Sequence, residues 1–186
     1  MSETAELVRR CRSGDALAWE ELVRQYQSRI YSLALHYLRD PDEARDLAQE
    51  VFIQVYRKLD AFRGDEFTPW LMRVGRNQCI DRLRRIKARP PARDVELDDG
   101  IDLPSDAMDP HADAQAGEER QLIHRAMGRL SDAYREMILL KEIQGLPLQE
   151  IAKMLDLPIG TVKSRSARAR VELAKSVVKI DPGYGV

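Results

Sequence analysis

A chain of 186 residues with 44% hydrophobic side chains is long enough for one large core or two small ones, and this excludes disorder throughout. No uninterrupted apolar run approaches a membrane span, and Met1-Ser-Glu-Thr has neither the basic nor the apolar part of a secretory signal, so a cytoplasmic location is expected. The net charge of −1 conceals a partition: residues 1–89 hold 17 Lys and Arg against 14 Asp and Glu, residues 90–119 hold 1 against 10, and residues 120–186 hold 12 against 7.

Periodicity near 3.6 recurs through both basic segments, and no alternating β-branched pattern suggests a strand. Helices are predicted near 4–13, 16–38, 42–58, 68–87, 118–129, 132–143, 148–155 and 159–178. Asp15 and Ser131 suit N-caps, Asp40-Pro41 separates the second helix from the third, and Gly145 follows the sixth. Residues 90–117, rich in proline and aspartate and without periodicity, read as an acidic flexible linker. The predicted fold is therefore all-α: two small helical domains at 1–89 and 118–178, joined by that linker and followed by a tail over 179–186.

In the helix near 42–58, Ala44, Leu47, Ala48, Val51, Phe52, Val55 and Leu59 form an inward stripe. Asp46, Gln49, Glu50, Ile53 and Arg57 fall opposite. Ile53 is thus an apolar residue centred in a polar face, which fits an ordinary exposed hydrophobe and a helix-docking spot equally well.

Next comes Phe62-Arg-Gly-Asp-Glu-Phe-Thr-Pro-Trp70, an aromatic-flanked loop, followed by a helix in which residues 73–89 carry seven Lys and Arg against one Asp. Aromatic rings beside cations are the means by which proteins hold unstacked bases. A core Trp and Phe beside a solvated basic helix is the plainer alternative.

Residues 148–170 encode two helices and a tight turn. Ile151, Ala152 and Leu155 share one side of the first, and the small Ala152 permits a close crossing. Asp156 suits a left-handed turn position and Pro158 the start of the next helix. Ile159, Val162, Ser166, Ala169 and Leu173 form the inward stripe of that helix; Lys163, Ser164, Ala167, Arg168 and Val171 lie outward, flanked by Arg165 and Arg170. This is the pattern of a helix-turn-helix that reads the DNA major groove. Cys11 and Cys79 are far apart and in no CxxC pair, so no zinc site or disulfide framework is implied and both read as buried thiols. His36, His111 and His124 are scattered without nucleophile, base or metal spacing; an enzyme is not expected, nor is a cofactor or metal.

Taken in order, these motifs resemble the bacterial extracytoplasmic-function (ECF) sigma factors, promoter-specificity subunits of RNA polymerase, over residues 5–87 and 118–178. Asp46-Leu-Ala-Gln-Glu-Val-Phe52 resembles the core-polymerase-binding helix of sigma region two. Phe67-Thr-Pro-Trp-Leu-Met-Arg-Val-Gly-Arg-Asn77 with Asp81-Arg-Leu-Arg-Arg85 resembles the promoter-melting segment, and Gly160-Thr-Val-Lys-Ser-Arg165 with Arg168-Ala-Arg170 resembles the recognition helix of region four. The chain departs from the usual pattern at Ser166, where a large apolar residue is common, at Pro69, which replaces Thr or Ser, and at Gly75, which replaces Ala.

The resemblance implies that Asp46, Gln49, Glu50 and Ile53 dock on the clamp helices of the largest polymerase subunit. It implies that Gly64, Asp65, Glu66, Phe67, Thr68, Trp70, Arg73, Arg76, Asn77, Arg84 and Arg85 meet the −10 element, with the 64–68 loop and Asn77 holding a flipped base. Gly160, Thr161, Lys163, Ser164, Arg165, Ala167, Arg168 and Arg170 would meet the −35 element. Core RNA polymerase, including the flap of its second-largest subunit, promoter DNA and an anti-sigma factor are the partners implied. The two elements lie about 85 Å apart at 3.4 Å per base pair. A linker of this length averages about 30 Å and reaches roughly 95 Å fully stretched, so it must be drawn out on promoter DNA. A stand-alone helix-turn-helix regulator, with 1–89 as a sensory or dimerisation module, accounts for residues 148–178 alone.

Overall fold

The computed structural model describes residues 3–63, 66–88 and 114–184. The chain divides into two compact units, Met1–Glu96 and Leu97–Val186, and among the described residues every regular element is helical. Most of the predicted linker lies outside the described residues.

The first unit contains α1 (Glu3–Arg12), α2 (Ala16–Leu38), α3 (Pro41–Lys58) and α4 (Phe67–Ala88). Asp15 caps α2, its side chain accepting from the Ala18 amide. Asp40 caps α3 by accepting from the amides of Asp42 and Glu43, and Pro41 follows at the first helical position, where its missing N–H costs nothing. The loop between α2 and α3 is short because Arg39 takes a left-handed conformation, φ 56°, and its N–H bonds the Leu35 carbonyl. A 3-10 turn, Leu59–Ala61, closes α3.

The interior of this unit is built from Leu22, Ile30 and Leu33 of α2, Leu47, Val51 and Val55 of α3, and Leu71 and Met72 of α4. The predicted stripe of α3 is buried along its whole length, Leu59 included. Gly75 of α4 faces this core: a Cβ there would lie 3.1 Å from Leu33 Cδ2 and 3.2 Å from Ile30 Cδ1, so a larger residue would require those two side chains of α2 to give way by a few tenths of an ångström. Cys11 and Cys79 are both buried free thiols as expected, and burial pushes Cys79 up to about 12.

The second unit contains α5 (Ala114–Gly128), α6 (Asp132–Ile138), α7 (Leu148–Leu155) and α8 (Ile159–Ile180). Helix α5 begins four residues earlier than the sequence suggests, because the Ala-Gln-Ala run has high helix propensity and Gly117 alone opposes it. Ser131 stands at the N-cap of α6 but its side chain makes no capping bond, so that expectation fails in its chemistry. The half-buried Arg135 of α6 instead closes the end of α5, donating to the carbonyls of Met127, Gly128 and Leu130 at 2.9–3.0 Å.

The single helix predicted over 132–143 changes character after Ile138. Residues Leu139–Ile143 form a π-helical turn ended by Gly145 at φ 69°, where Leu146 N–H reaches back to Leu140 O. This turns the chain sharply into α7. Val162, Ser166 and Ala169 of α8 face the core with Ile151 and Met154 of α7. Farther along, Val177 packs with Leu122 and Ala126, and the half-buried Leu173 and Ile180 pack against them. Two stripe assignments need correction. Ile159 is 39% exposed, standing at the first residue of α8 one turn before the buried Val162, and Met154 takes the buried place in α7 beside Ile151, leaving Leu155 half-buried.

Candidate functional site

Three surfaces carry the residues singled out in the sequence. The first is the outer side of α3. Burying Ala44, Leu47, Val51 and Val55 rotates Asp46, Gln49, Glu50 and Ile53 outward, and all four are exposed, Ile53 at 53%. Glu50 does not stand alone. Its carboxylate accepts from Arg82 of α4 at 2.7 Å, and the same guanidinium also pairs with Glu43, its side chain only 18% exposed. The hydrogen bond to Glu50 raises Arg82 above the ordinary arginine value. One turn beyond Ile53, Tyr56 is 63% exposed and meets Trp19 of α2 edge-on, ring centroids 5.0 Å apart. The sequence reading missed this aromatic extension, although the i, i+3 spacing from Ile53 to Tyr56 signals it.

The second surface is the side of α4 opposite its buried stripe. With Leu71, Met72, Gly75 and Cys79 inward, Trp70, Arg73, Asn77 and Arg84 line up on the outer side at helical spacing. Asn77 and Arg84 are exposed; Trp70 and Arg73 are half-buried. Arg76 turns toward α2, its Nε donating to the Tyr37 hydroxyl at 2.8 Å and its guanidinium lying 5.9 Å from the Tyr37 ring. Arg84 lies 3.3 Å from Asp81, and Arg85 and Glu66 are exposed.

Phe67 is different. It is 3% exposed and packs among Tyr26, Phe62 and Trp70 at centroid distances of 5.3–5.8 Å, so it shapes the surface from beneath and presents no face for stacking. Thr68 Oγ1 lies 3.1 Å from the Tyr26 hydroxyl. Gly64 and Asp65 lie outside the described residues.

The third surface belongs to α7, the turn and α8. Asp156 adopts the left-handed conformation expected, φ 53°, and both its N–H and that of Leu157 reach the Ala152 carbonyl. Such a turn sets α8 across α7 with no further loop. Gly160, Thr161, Lys163, Ser164, Ala167, Arg168 and Arg170 are exposed on α8, and Arg165 is half-buried. Lys163, Arg165 and Arg168 have no ion-pair partner among the described residues, whereas Arg170 lies 3.9 Å from Glu142. A helix with three uncompensated cations over its first three turns is an anion-seeking surface shaped for a groove. Among the described residues there is no cluster of side chains that could hold a metal ion.

Residues 22–89 match Sigma-70 region 2 and residues 120–173 match Sigma-70, region 4. The chain is 37% identical over 177 residues to the ECF RNA polymerase sigma-E factor of Escherichia coli K12, covering 92% of each. It belongs to the ECF group of the sigma-70 family. To the RNA polymerase sigma-H factor of Pseudomonas aeruginosa it is 35% identical over 178 residues, again with 92% of each chain covered. Among solved structures, CnrH in complex with the cytosolic domain of CnrY matches with a TM-score of 0.60 at 25% identity, over 94% of this chain and 96% of that one. The sigma factor RpoE of Bartonella quintana, solved with the anti-sigma factor NepR, shares the fold at a TM-score of 0.60 and 22% identity, over 87% and 97%. This sigma factor is a promoter-specificity subunit of RNA polymerase, and with both regions present in one chain nothing favours a stand-alone regulator. No helix among the described residues is long and apolar enough to cross a membrane.

Proposed function

We propose that the three surfaces divide the work of promoter selection. Residues 1–89 dock on the polymerase and open the −10 element, residues 118–178 read the −35 element, and the acidic stretch 90–117 spans between them. In this reading Asp46, Gln49, Glu50 and Ile53 meet the clamp helices of the largest subunit, and region four also meets the flap of the second-largest. Trp70, Arg73, Arg76, Asn77, Arg84 and Arg85, with Glu66 and Thr68, receive the opened −10 strand. Phe67 supports Trp70 from below, and Gly64 and Asp65 join the set on resemblance alone. Gly160, Thr161, Lys163, Ser164, Arg165, Ala167, Arg168 and Arg170 lie against the −35 duplex.

The observation that carries this reading is the sorting of α4. Its buried side is continuous with the core, while its outer side aligns a half-exposed indole, an amide and arginines, the groups that stack on an unpaired base, read its edge and neutralise its backbone. The protein acts in the cytoplasm as a non-enzymatic initiation factor and is held inactive by an anti-sigma factor; a structural relative solved in complex with the cytosolic domain of a second protein supports a protein partner of this kind.

Asn77→Ala tests the assignment. Because an amide contact to a base edge forms only after unstacking, the substitution slows open-complex formation while leaving affinity for closed duplex promoter nearly unchanged. Permanganate footprinting of the −10 element measures opening, and equal opening by variant and parent returns this side of α4 to an ordinary solvated face.

A further inference from the structure

We propose that Arg12, the last residue of α1, is a positioning residue for promoter opening, holding the turn on which the aromatic group beside α4 rests; this depends on the reading of α4 given above. The residue lies before the stretch that matches region 2, and its sequence setting, among Arg9 and Arg10, marks it only as one of several cations at a helix end.

The structure gives it a different standing. Arg12 Nε and Nη2 both donate to the Leu59 carbonyl at 3.1 Å, and Nη2 also donates to the Phe62 carbonyl. Its guanidinium lies 5.7 Å from the centroid of the Phe62 ring. Leu59 and Phe62 bracket the 3-10 turn that ends α3, where backbone carbonyls run out of intrahelical partners and carry the negative end of the helix dipole. Arg63 donates to the same stretch, to the carbonyls of Asp60 and Phe62, but from the residue immediately after it. Arg12 reaches it from another helix, across 47 to 50 residues of sequence.

Phe62 passes the constraint onward. Its ring packs 5.1 Å from Trp70 and 5.8 Å from Phe67; Phe67 meets Tyr26, and the Tyr26 hydroxyl meets Thr68. The position of Trp70 and the first turn of α4 therefore rest on a ring that Arg12 also contacts. A planar guanidinium can serve two carbonyls and a ring together through a rigid, spread set of donors, whereas a lysine ammonium carries its three donors on one nitrogen and has no flat face to lay against the ring. Without the clamp the turn gains conformations, and ordering it again is charged against every encounter with an unstacked base.

The test uses the full chain assembled with core polymerase. The DNA is a ten-nucleotide single strand selected from a random pool on the parent holoenzyme, together with its single-base variants. Arg12→Ala is expected to bind core as the parent does, to lose affinity for the selected strand about tenfold and to flatten discrimination among the variants; Arg12→Lys falls between the two. Should Arg12→Ala yield no folded protein, Arg12→Lys carries the same comparison. Asn77→Ala runs beside them. Parental discrimination by Asn77→Ala overturns the reading of α4 itself. When Asn77→Ala is defective, parental affinity and discrimination by the Arg12 variants overturn the positioning role, as does a loss of core affinity as large as the loss of strand affinity, which marks Arg12 as a staple of the fold and nothing more.

Discussion

Replacing Ile53 separates the fold from the docking surface, because the side chain is divided between them. With 53% of the residue exposed, roughly half of its apolar area already rests on the helix and its neighbours, and the rest is left for a partner. Full burial of an isoleucine is worth about 1.5–3 kcal/mol, so covering the remaining half on docking contributes roughly 1 kcal/mol. Ile53→Ala should therefore weaken core-polymerase binding about fivefold. Ile53→Glu does more: it carries a carboxylate into the contact beside Asp46 and Glu50, and an unpaired charge buried at an interface costs about 3–5 kcal/mol, a loss of at least a hundredfold. Both variants give up the buried half, roughly 1 kcal/mol, and recover part of it through the better helix propensity of alanine and glutamate, so Tm should fall only slightly. Core affinity is read by titrating a fluorescent derivative of each variant with polymerase, and helicity and Tm by circular dichroism. Parental affinity for Ile53→Glu at unchanged Tm would refute the docking assignment. A Tm lowered in step with affinity would show that Ile53 belongs to the core instead.

Arg168→Ala should relax base preference at one or two positions of the −35 element, losing about 1–3 kcal/mol of discrimination, because this exposed arginine, with no ion pair among the described residues, lies on the outward line of α8. Arg170→Ala, on the flank and 3.9 Å from Glu142, should weaken all sequences alike and lower the salt slope by roughly one unit; competition binding at two salt concentrations distinguishes the pair, and a uniform loss for Arg168→Ala reverses its assignment. Gly75→Ala gains about 0.5–1 kcal/mol of helix propensity but pushes a methyl to within 3.1 Å of Leu33, and overpacking typically costs about 1–3 kcal/mol, so Tm should fall; a rise would mean that α2 and α4 part without strain. Gln144 is 4% exposed and neither atom of its amide has a hydrogen-bond partner among the described residues, so Gln144→Met should raise stability by about 1–3 kcal/mol in a denaturant titration, and a decrease would reveal a buried partner for the amide.

The legible parts of this molecule are those decided within one or two turns of chain. The stripe of α3 and the outward placing of Ile53 follow from 3.6-residue periodicity, because a helix puts residues three and four apart on one side whatever it later packs against. The cap at Asp15, the break between helices at Asp40-Pro41 and the left-handed turn at Asp156 are equally local, each settled within a few residues of chain. The outward residues of α8 follow from the same periodicity, whereas the set on α4 comes from the resemblance. What tertiary structure alone decided concerns partners far apart in sequence. Phe67 and Trp70 belong to one aromatic cluster in the sequence, yet only packing against Tyr26 and Phe62 buries the first and leaves the second half-exposed. Ile159 fits the inward stripe of α8 by spacing, but spacing cannot say that the buried part of that stripe begins only at Val162. Glu50, free on any helical wheel, is held by Arg82 from another helix, and Gly75 is explained by the side chains of α2 opposite it. A helical wheel specifies direction about one axis; which atoms stand in that direction depends on where the other axes cross, and that is settled by the packing of side chains too distant in sequence to leave a periodic trace.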